Sequence, residues 1–148
     1  MDAYLDAHID ARRLAFRAAE ARANAYAPYS CFLVGAALLT KGGKIYTGCN
    51  IENAAFSPTN CAERTAFFKA VSEGERDFTA IAVAGWAQGA QSGRAYPCGV
   101  CLQVMAEFCE AESFLVYAVD AAGGIEAFLL KNLMPYGFGK QSATKHRS

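Results

Sequence analysis

The sequence predicts an α/β fold in three layers, α/β/α, with a mixed sheet of about five strands covered by helices on both faces. Three observations carry that expectation. Apolar residues recur near helical spacing at the start of the chain and then give way to continuous apolar runs of strand length. The order of elements reads helix, strand, strand, helix, strand, helix, strand, strand. Hydrophobic residues make up 53% of 148 positions, enough to close one proper core in a single domain spanning 1–148.

Taken in order, residues 3–24 form the first helix, with Leu5, Ile9, Phe16, Ala19 and Ala23 as its apolar stripe. AYAPYS breaks that helix at Pro28. CFLVGAALLT and KIYTGCN, joined by the KGG turn, read as a hairpin of two strands. NIENAAFSPT is an irregular loop, and a helix follows from about Cys61 to Glu73. FTAIAVAGW reads as a buried strand and AQGAQSGRA as a Gly-rich loop. A second short helix begins at Pro97, whose missing N–H costs nothing in a first helical turn, and runs to about Cys109. SFLVYAVD and GIEAFLL are strands flanking the AAGG turn. The final stretch, about 139–148, is a polar tail.

Charge excludes several function classes. The 14 basic and 14 acidic side chains balance to a formal net charge of zero, with no basic patch to neutralise phosphates, so no nucleic-acid partner is expected. No run approaches the roughly 18 apolar residues that span a bilayer, so no membrane partner is expected either. The N-terminus MDAYLDAHIDARR lacks the central apolar run of a secretory signal. Six cysteines without an export signal are expected to be reduced, in the cytoplasm, where metal binding or catalysis outranks disulfides.

The chemistry concentrates in TNCAERTAFF and YPCGVCLQVM. Cys98 and Cys101 are three residues apart, neighbours on one helical face, and Cys61 sits at the start of the other helix. All three thiols lie where a helix macrodipole is positive, which favours the thiolate that binds metal. Three thiolates suit zinc and leave its fourth position for water, the arrangement of a catalytic site. Glu63, two residues past Cys61, is tethered close enough to exchange protons with that water. A lone CxxC also fits a redox pair or half of a structural zinc knot, for which Cys31, Cys49 or Cys109 could supply a fourth ligand. Each of those three lies in or beside an apolar run, where a free cysteine usually just packs.

CxE followed by PCxxC resembles the zinc-dependent cytidine deaminases, and the likeness runs from YSCFLVGAAL through CNIENAAFSPTNCAERTA and PCGVCLQVM to LMPYGFG. It is strongest to the small homotetrameric type, which acts on free nucleosides. The resemblance implies a cytidine deaminase-like fold and one Zn²⁺ per chain on Cys61, Cys98 and Cys101. It also implies that Glu63 shuttles protons during hydrolysis of cytidine and 2′-deoxycytidine at C4 of the base. The matching Asn50 and Glu52 grip the ribose hydroxyls, Ala54 offers main-chain groups, and Phe32 packs against the pyrimidine. Phe138 resembles a C-terminal aromatic that reaches into a neighbouring subunit's site.

Read without the resemblance, Asn50 and Glu52 are alternate residues of an extended segment that either converge on one ligand or hydrogen-bond their own backbone. Phe32 is then a core residue of a strand, and Phe138 an exposed aromatic near a tail. One position departs from the family pattern PCGxCRQ, because Leu102 stands where arginine is usual. Arg64, beside Glu63, is left to offset the net −1 of three thiolates and one Zn²⁺. Two rival readings are a deaminase of another aminopyrimidine nucleoside such as blasticidin S, and a non-catalytic zinc-stabilised interaction protein. The Asn50–Glu52 pair speaks against the first, and Glu63 against the second.

Overall fold

Helix α1 (Ala3–Ala21) continues into a 3₁₀ turn at Arg22–Asn24 and stops before Pro28, close to the expected end. The structure, a computed structural model, describes residues 3–140 and 142. Leu5 and Ile9 have side chains outside the described residues, as does most of the expected tail at 139–148. Within the rest of α1 the expected stripe is corrected. Ala11, Leu14, Ala15 and Ala18 are the buried residues, at i, i+3, i+4 and i+7, while Phe16 is 65% exposed and Ala19 and Ala23 also face outward. The physical reason lies beneath the helix. A Cβ on Gly35 would stand 2.0 Å from the Ala18 carbonyl oxygen, so α1 rides too close to the sheet for a phenylalanine on its inner face.

Strands β1 (Phe32–Thr40) and β2 (Ile45–Cys49) form the expected antiparallel hairpin. β3 (Phe78–Ala87) lies antiparallel to β1 on its other side. β4 (Leu115–Val119) runs parallel to β3, and β5 (Ile125–Leu129) closes the sheet antiparallel to β4. The strand order is β2-β1-β3-β4-β5. The sheet is mixed because tight turns force antiparallel neighbours, whereas the β3-to-β4 crossover carries a helix. The strands are five, with helices on both faces, as the sequence predicts. A short helix α4 (Leu130–Leu133) takes the last residue expected of the fifth strand and was not anticipated.

Alternation along the strands divides the core in two. Ala37, Leu39, Ala80, Ala82 and Ala84 meet α1 on one face. Ala36, Leu38, Ile81, Val83 and Val116 meet Phe67 of α2 (Ala62–Ser72) and Met105 of α3 (Gly99–Phe108) on the other. Gly48 of β2 sets how near α2 comes: a Cβ there would fall 2.6 Å from both the Ala62 oxygen and the Ala66 nitrogen. The sheet's second face therefore holds the starts of α2 and α3 side by side.

Candidate active site

Cys61 is the N-cap of α2 and Cys98 the N-cap of α3, both with extended backbone and neither capping its helix with its side chain. Their carbonyls accept the first helical hydrogen bonds, from Thr65 at 3.0 Å and from Leu102 at 2.9 Å. Pro97 is thereby corrected: it precedes the cap and lies outside the helix, because the fixed proline ring leads the chain extended into Cys98. The expected neighbourhood survives, since Cys98 and Cys101 remain one turn apart. The Cys98 and Cys101 sulfurs are 3.5 Å apart, Cys61 and Cys98 3.8 Å, and all three lie within 4.8 Å of one another. A tetrahedral zinc with Zn–S bonds of about 2.3 Å needs sulfurs roughly 3.8 Å apart, so the set fits the ion.

Among the described residues this trio is the one cluster of His, Cys, Asp or Glu able to hold a metal. Cys109 and Cys49 are half-buried, and burial pushes the Cys109 thiol up to about 12, which suits packing and not ligation. Cys31 does not pack as expected of it: it is exposed, with φ of 55°.

The same helical turn carries two charges. Arg64 Nη2 donates to Cys61 Sγ at 3.3 Å. The Cys61 thiol is held well below its usual range, first by a hydrogen bond from Cys101 and then by Arg64. The Cys101 thiol, 1% exposed, is pushed up, first by its hydrogen bond with Cys61 and then by burial. Burial works against the Arg64 charge, but hydrogen bonds to Cys61 and Cys101 outweigh it and raise its pKa. Glu63 is 4% exposed, and its carboxyl is pushed up to about 7, first by burial and next by the negative charge of Cys61. Its environment lets the group exist in either protonation state near neutrality.

Asn50 and Glu52 lie just past β2 on a segment held from both sides. Tyr26 pairs with it through N–H to Asn50 O at 2.9 Å and from Glu52 N–H to Tyr26 O at 2.8 Å, while Ile51 and Asn60 exchange two bonds of 2.9 Å. Asn50 Oδ1 accepts from the Val34 N–H at 2.9 Å, and its Nδ2 donates to Phe32 O at 2.8 Å. Glu52 Oε1 accepts from the Tyr29 and Ser30 N–H groups at 3.0 and 3.2 Å, and these bonds help hold its pKa low together with the Ser30 hydroxyl. Both side chains thus bind backbone, though that of residues 29–34 and not their own, and each retains capacity: one N–H on the amide, the other oxygen on the carboxylate.

Phe32 opens β1 and is 36% exposed, so it is a rim residue and not the core residue that strand position alone suggests. Ala54 is exposed in the turn that follows Asn53, where Asn53 Oδ1 accepts from the Ala55 N–H at 2.9 Å. Phe138 is 64% exposed, and its carbonyl accepts from Gln103 Nε2 of α3 at 2.8 Å. The structure adds Asn60 and Thr65, which sequence reading passed over. Asn60 Nδ2 donates to Thr65 Oγ1 at 3.1 Å, and that hydroxyl lies 3.0 Å from Cys49 O and 3.2 Å from Cys61 O. The only trace of this in the sequence is a threonine four residues after Cys61, where a hydroxyl can reach the i−4 carbonyl.

Residues 9–118 match the family described as the cytidine and deoxycytidylate deaminase zinc-binding region. A cytidine deaminase of Sporosarcina psychrophila is 52% identical over 133 residues, covering 90% of this chain and 94% of its own length. The chain belongs to the cytidine deaminase family. Among solved structures, the cytidine deaminase of Burkholderia pseudomallei superposes with a TM-score of 0.78 at 44% identity, covering 85% of this chain and 97% of the other. That of Mycobacterium tuberculosis does so with a TM-score of 0.71 at 34% identity, covering 86% and 95%.

Zinc is the metal that the family description names, and the sulfur geometry suits it. Leu102 is half-buried and packs against the core that α2 and α3 share. A concavity of about 800 Å³ lies elsewhere, between the C-terminal end of α3 and residues 130–140; none of the three cysteines nor Glu63 lines it. Chemistry and not volume marks the site.

Arg64→Gln is expected to keep the fold and weaken zinc retention about tenfold, the lower end for a residue that orients or neutralises a ligand. Competition with a chromogenic chelator measures it. Zinc held as tightly as in the wild type would show that Arg64 does not offset the thiolate charge.

Proposed function

We propose that this chain hydrolyses the C4 amine of cytidine and 2′-deoxycytidine, giving uridine or 2′-deoxyuridine and ammonia. The observation that carries the reading is Glu63: a carboxyl 4% exposed, on the same helical turn as one sulfur of a three-sulfur cluster. A structural zinc knot has no use for a buried acid there. Zinc held by Cys61, Cys98 and Cys101 would supply the Lewis acidity that lets water lose a proton near neutral pH. Glu63 would take that proton and give it to N3 as the water oxygen adds to C4, then take the remaining proton of that oxygen and give it to the amine as the C4–N bond breaks, leaving the C4 carbonyl and ammonia. Arg64 offsets the thiolate charge, and Asn50 and Glu52 hold the sugar hydroxyls with the donor and acceptor left over from their backbone bonds. Phe32 borders the pyrimidine and Ala54 offers main-chain groups.

Relatives named cytidine deaminase that match nearly the whole chain support this substrate over blasticidin S or a non-catalytic role. In this reading one zinc is held per chain, residues 1–148 act as one domain, and the reaction serves pyrimidine salvage in the cytoplasm. Six unbridged cysteines support that compartment. No helix among the described residues is long and apolar enough to cross a membrane. The active form is a homotetramer in which Phe138 completes a neighbouring subunit's site, a role supported by its exposed ring on an anchored backbone.

Glu63→Gln is expected to keep zinc and fold while cytidine turnover falls by about 10²–10⁴-fold or more, because an amide cannot relay protons. Activity above a tenth of wild type, followed by ultraviolet absorbance, would remove Glu63 from that role. Asn50→Ala and Glu52→Ala are expected to raise KM for cytidine much more than for free cytosine, each losing hydrogen bonds of about 0.5–3 kcal/mol. Equal losses for base and nucleoside would place both residues outside the sugar site. Truncation before Met134 is expected to reduce both the sedimenting mass and the affinity for cytidine. A fully active single chain after truncation would exclude action across a subunit boundary.

A further inference from the structure

The loop entering Cys98 is fastened to the far edge of the sheet, and no role in the reaction accounts for that fastening. Arg94 Nη1 lies 2.5 Å from Glu126 Oε2, and Nη2 lies 2.8 Å from Asp120 Oδ2. The Tyr96 hydroxyl donates to the same Glu126 oxygen at 3.0 Å, and its ring meets Phe128 edge-on with centroids 5.9 Å apart. The backbone joins in: Arg94 pairs with Asp120 in an isolated antiparallel bridge, and the Ala121 N–H donates to Gly93 O at 3.1 Å. Asp120 is itself fixed, because its Oδ1 accepts from the Ala122 and Gly124 N–H groups at 2.9 and 2.8 Å.

Between these two anchors, Ala95 packs against the core alongside Val34. It fits because β3 carries Gly85, where a Cβ would fall 2.6 Å from the Ala95 Cβ and 3.3 Å from Phe32 Cε1. Residues 93–97 thus run as a strap from the β4–β5 edge across the end of β3 toward Phe32, and Pro97 then delivers Cys98. Arg94 Nε is buried with no partner among the described residues. The side chain as a whole is 27% exposed, and Asp120 and Glu126 are 29% and 43% exposed, so the contact acts through its geometry, one planar fork engaging two carboxylates at once.

We infer that Arg94, with Asp120 and Glu126, is a positioning group for the metal site, holding Cys98 and Cys101 at the spacing the metal requires. The inference rests on the reading that these cysteines ligate zinc. Cys98 is an exposed cap residue preceded by loop, and the strap restrains the chain that leads into it. A residue that orients a ligand changes metal affinity without touching the metal.

The test compares zinc release from the intact zinc-loaded protein to a chromogenic chelator, well below the unfolding temperature. Arg94→Gln and Glu126→Gln are expected to release zinc about tenfold faster than wild type. Arg94→Lys is expected to recover part of the loss, keeping one charge but not the fork that reaches both carboxylates. Leu14→Ala, in the core on the opposite face of the sheet, is expected to lower the unfolding midpoint and leave the release rate unchanged. Amide hydrogen exchange on the zinc-free protein reads the strap without the metal: Arg94→Gln should accelerate exchange over 93–102 and leave α1 as it was. Should Arg94→Gln fail to fold, Glu126→Gln retains the Asp120 contact and carries both measurements. Wild-type release and exchange in the strap variants, or release in Leu14→Ala as fast as in Arg94→Gln, would overturn the inference. A wild-type protein that binds no zinc would instead refute the metal reading, and the exchange result would still decide for or against the strap.

Discussion

Three sulfurs confined within 4.8 Å would repel one another as thiolates, and the arrangement of this protein follows from making that confinement tolerable. Two helix starts must face the same point, so that both positive ends act on the sulfurs. That requires α2 and α3 to lie together on one face of the sheet. The parallel crossover from β3 to β4 brings α3 there, and Gly48 lets α2 approach until its backbone touches β2. The opposite face carries the alanine-lined contact with α1, which takes no part in the cluster and shields the sheet from water.

Functions are distributed along one helical turn. Cys61 at the cap points to the other two sulfurs, Glu63 turns inward and is 4% exposed, and Arg64 folds back one turn to the Cys61 sulfur. Ala62 and Ala66 are fully buried in the core, where the backbone of α2 passes Gly48. Arg64 places a positive charge against the Cys61 sulfur, while Leu102 packs against the core.

The parts of this design that depend on residues near in sequence were legible beforehand. The β1–β2 hairpin, the two helix starts and the CxE and PCxxC sulfurs all follow from spacing and turn chemistry over a few positions. The inner face of α1 was not, because the residues at 5, 9, 16, 19 and 23 form a plausible stripe. Only the glycine on β1 beneath Ala18 makes the helix prefer its alanines inward and Phe16 outward. The strap was equally hidden. Arg94, Asp120 and Glu126 are ordinary charged residues in a sequence of zero net charge, and nothing in their spacing says that a loop crosses the sheet to join them. Pro97 misled by one step, since the same fixed φ serves a first helical residue and an extended residue before a cap.

Asn50 and Glu52 show why the plain and the functional readings of a polar pair need not compete. Each is bound to backbone: the amide bridges Phe32 and Val34, and the carboxylate gathers the N–H groups of Tyr29 and Ser30. Taken as structural contacts, these bonds join the start of β1 to the segment beyond β2. Taken as preparation for a ligand, they freeze two rotamers that a free side chain would lose only on binding, a cost of about 0.5–1.5 kcal/mol each. The Ile51–Asn60 bridge then ties this prepared pair to the residue just before Cys61. A ligand held at Asn50 and Glu52 would thereby be referenced to the three sulfurs through a short, hydrogen-bonded length of chain, which is the physical requirement for presenting one ring atom to one reactive group.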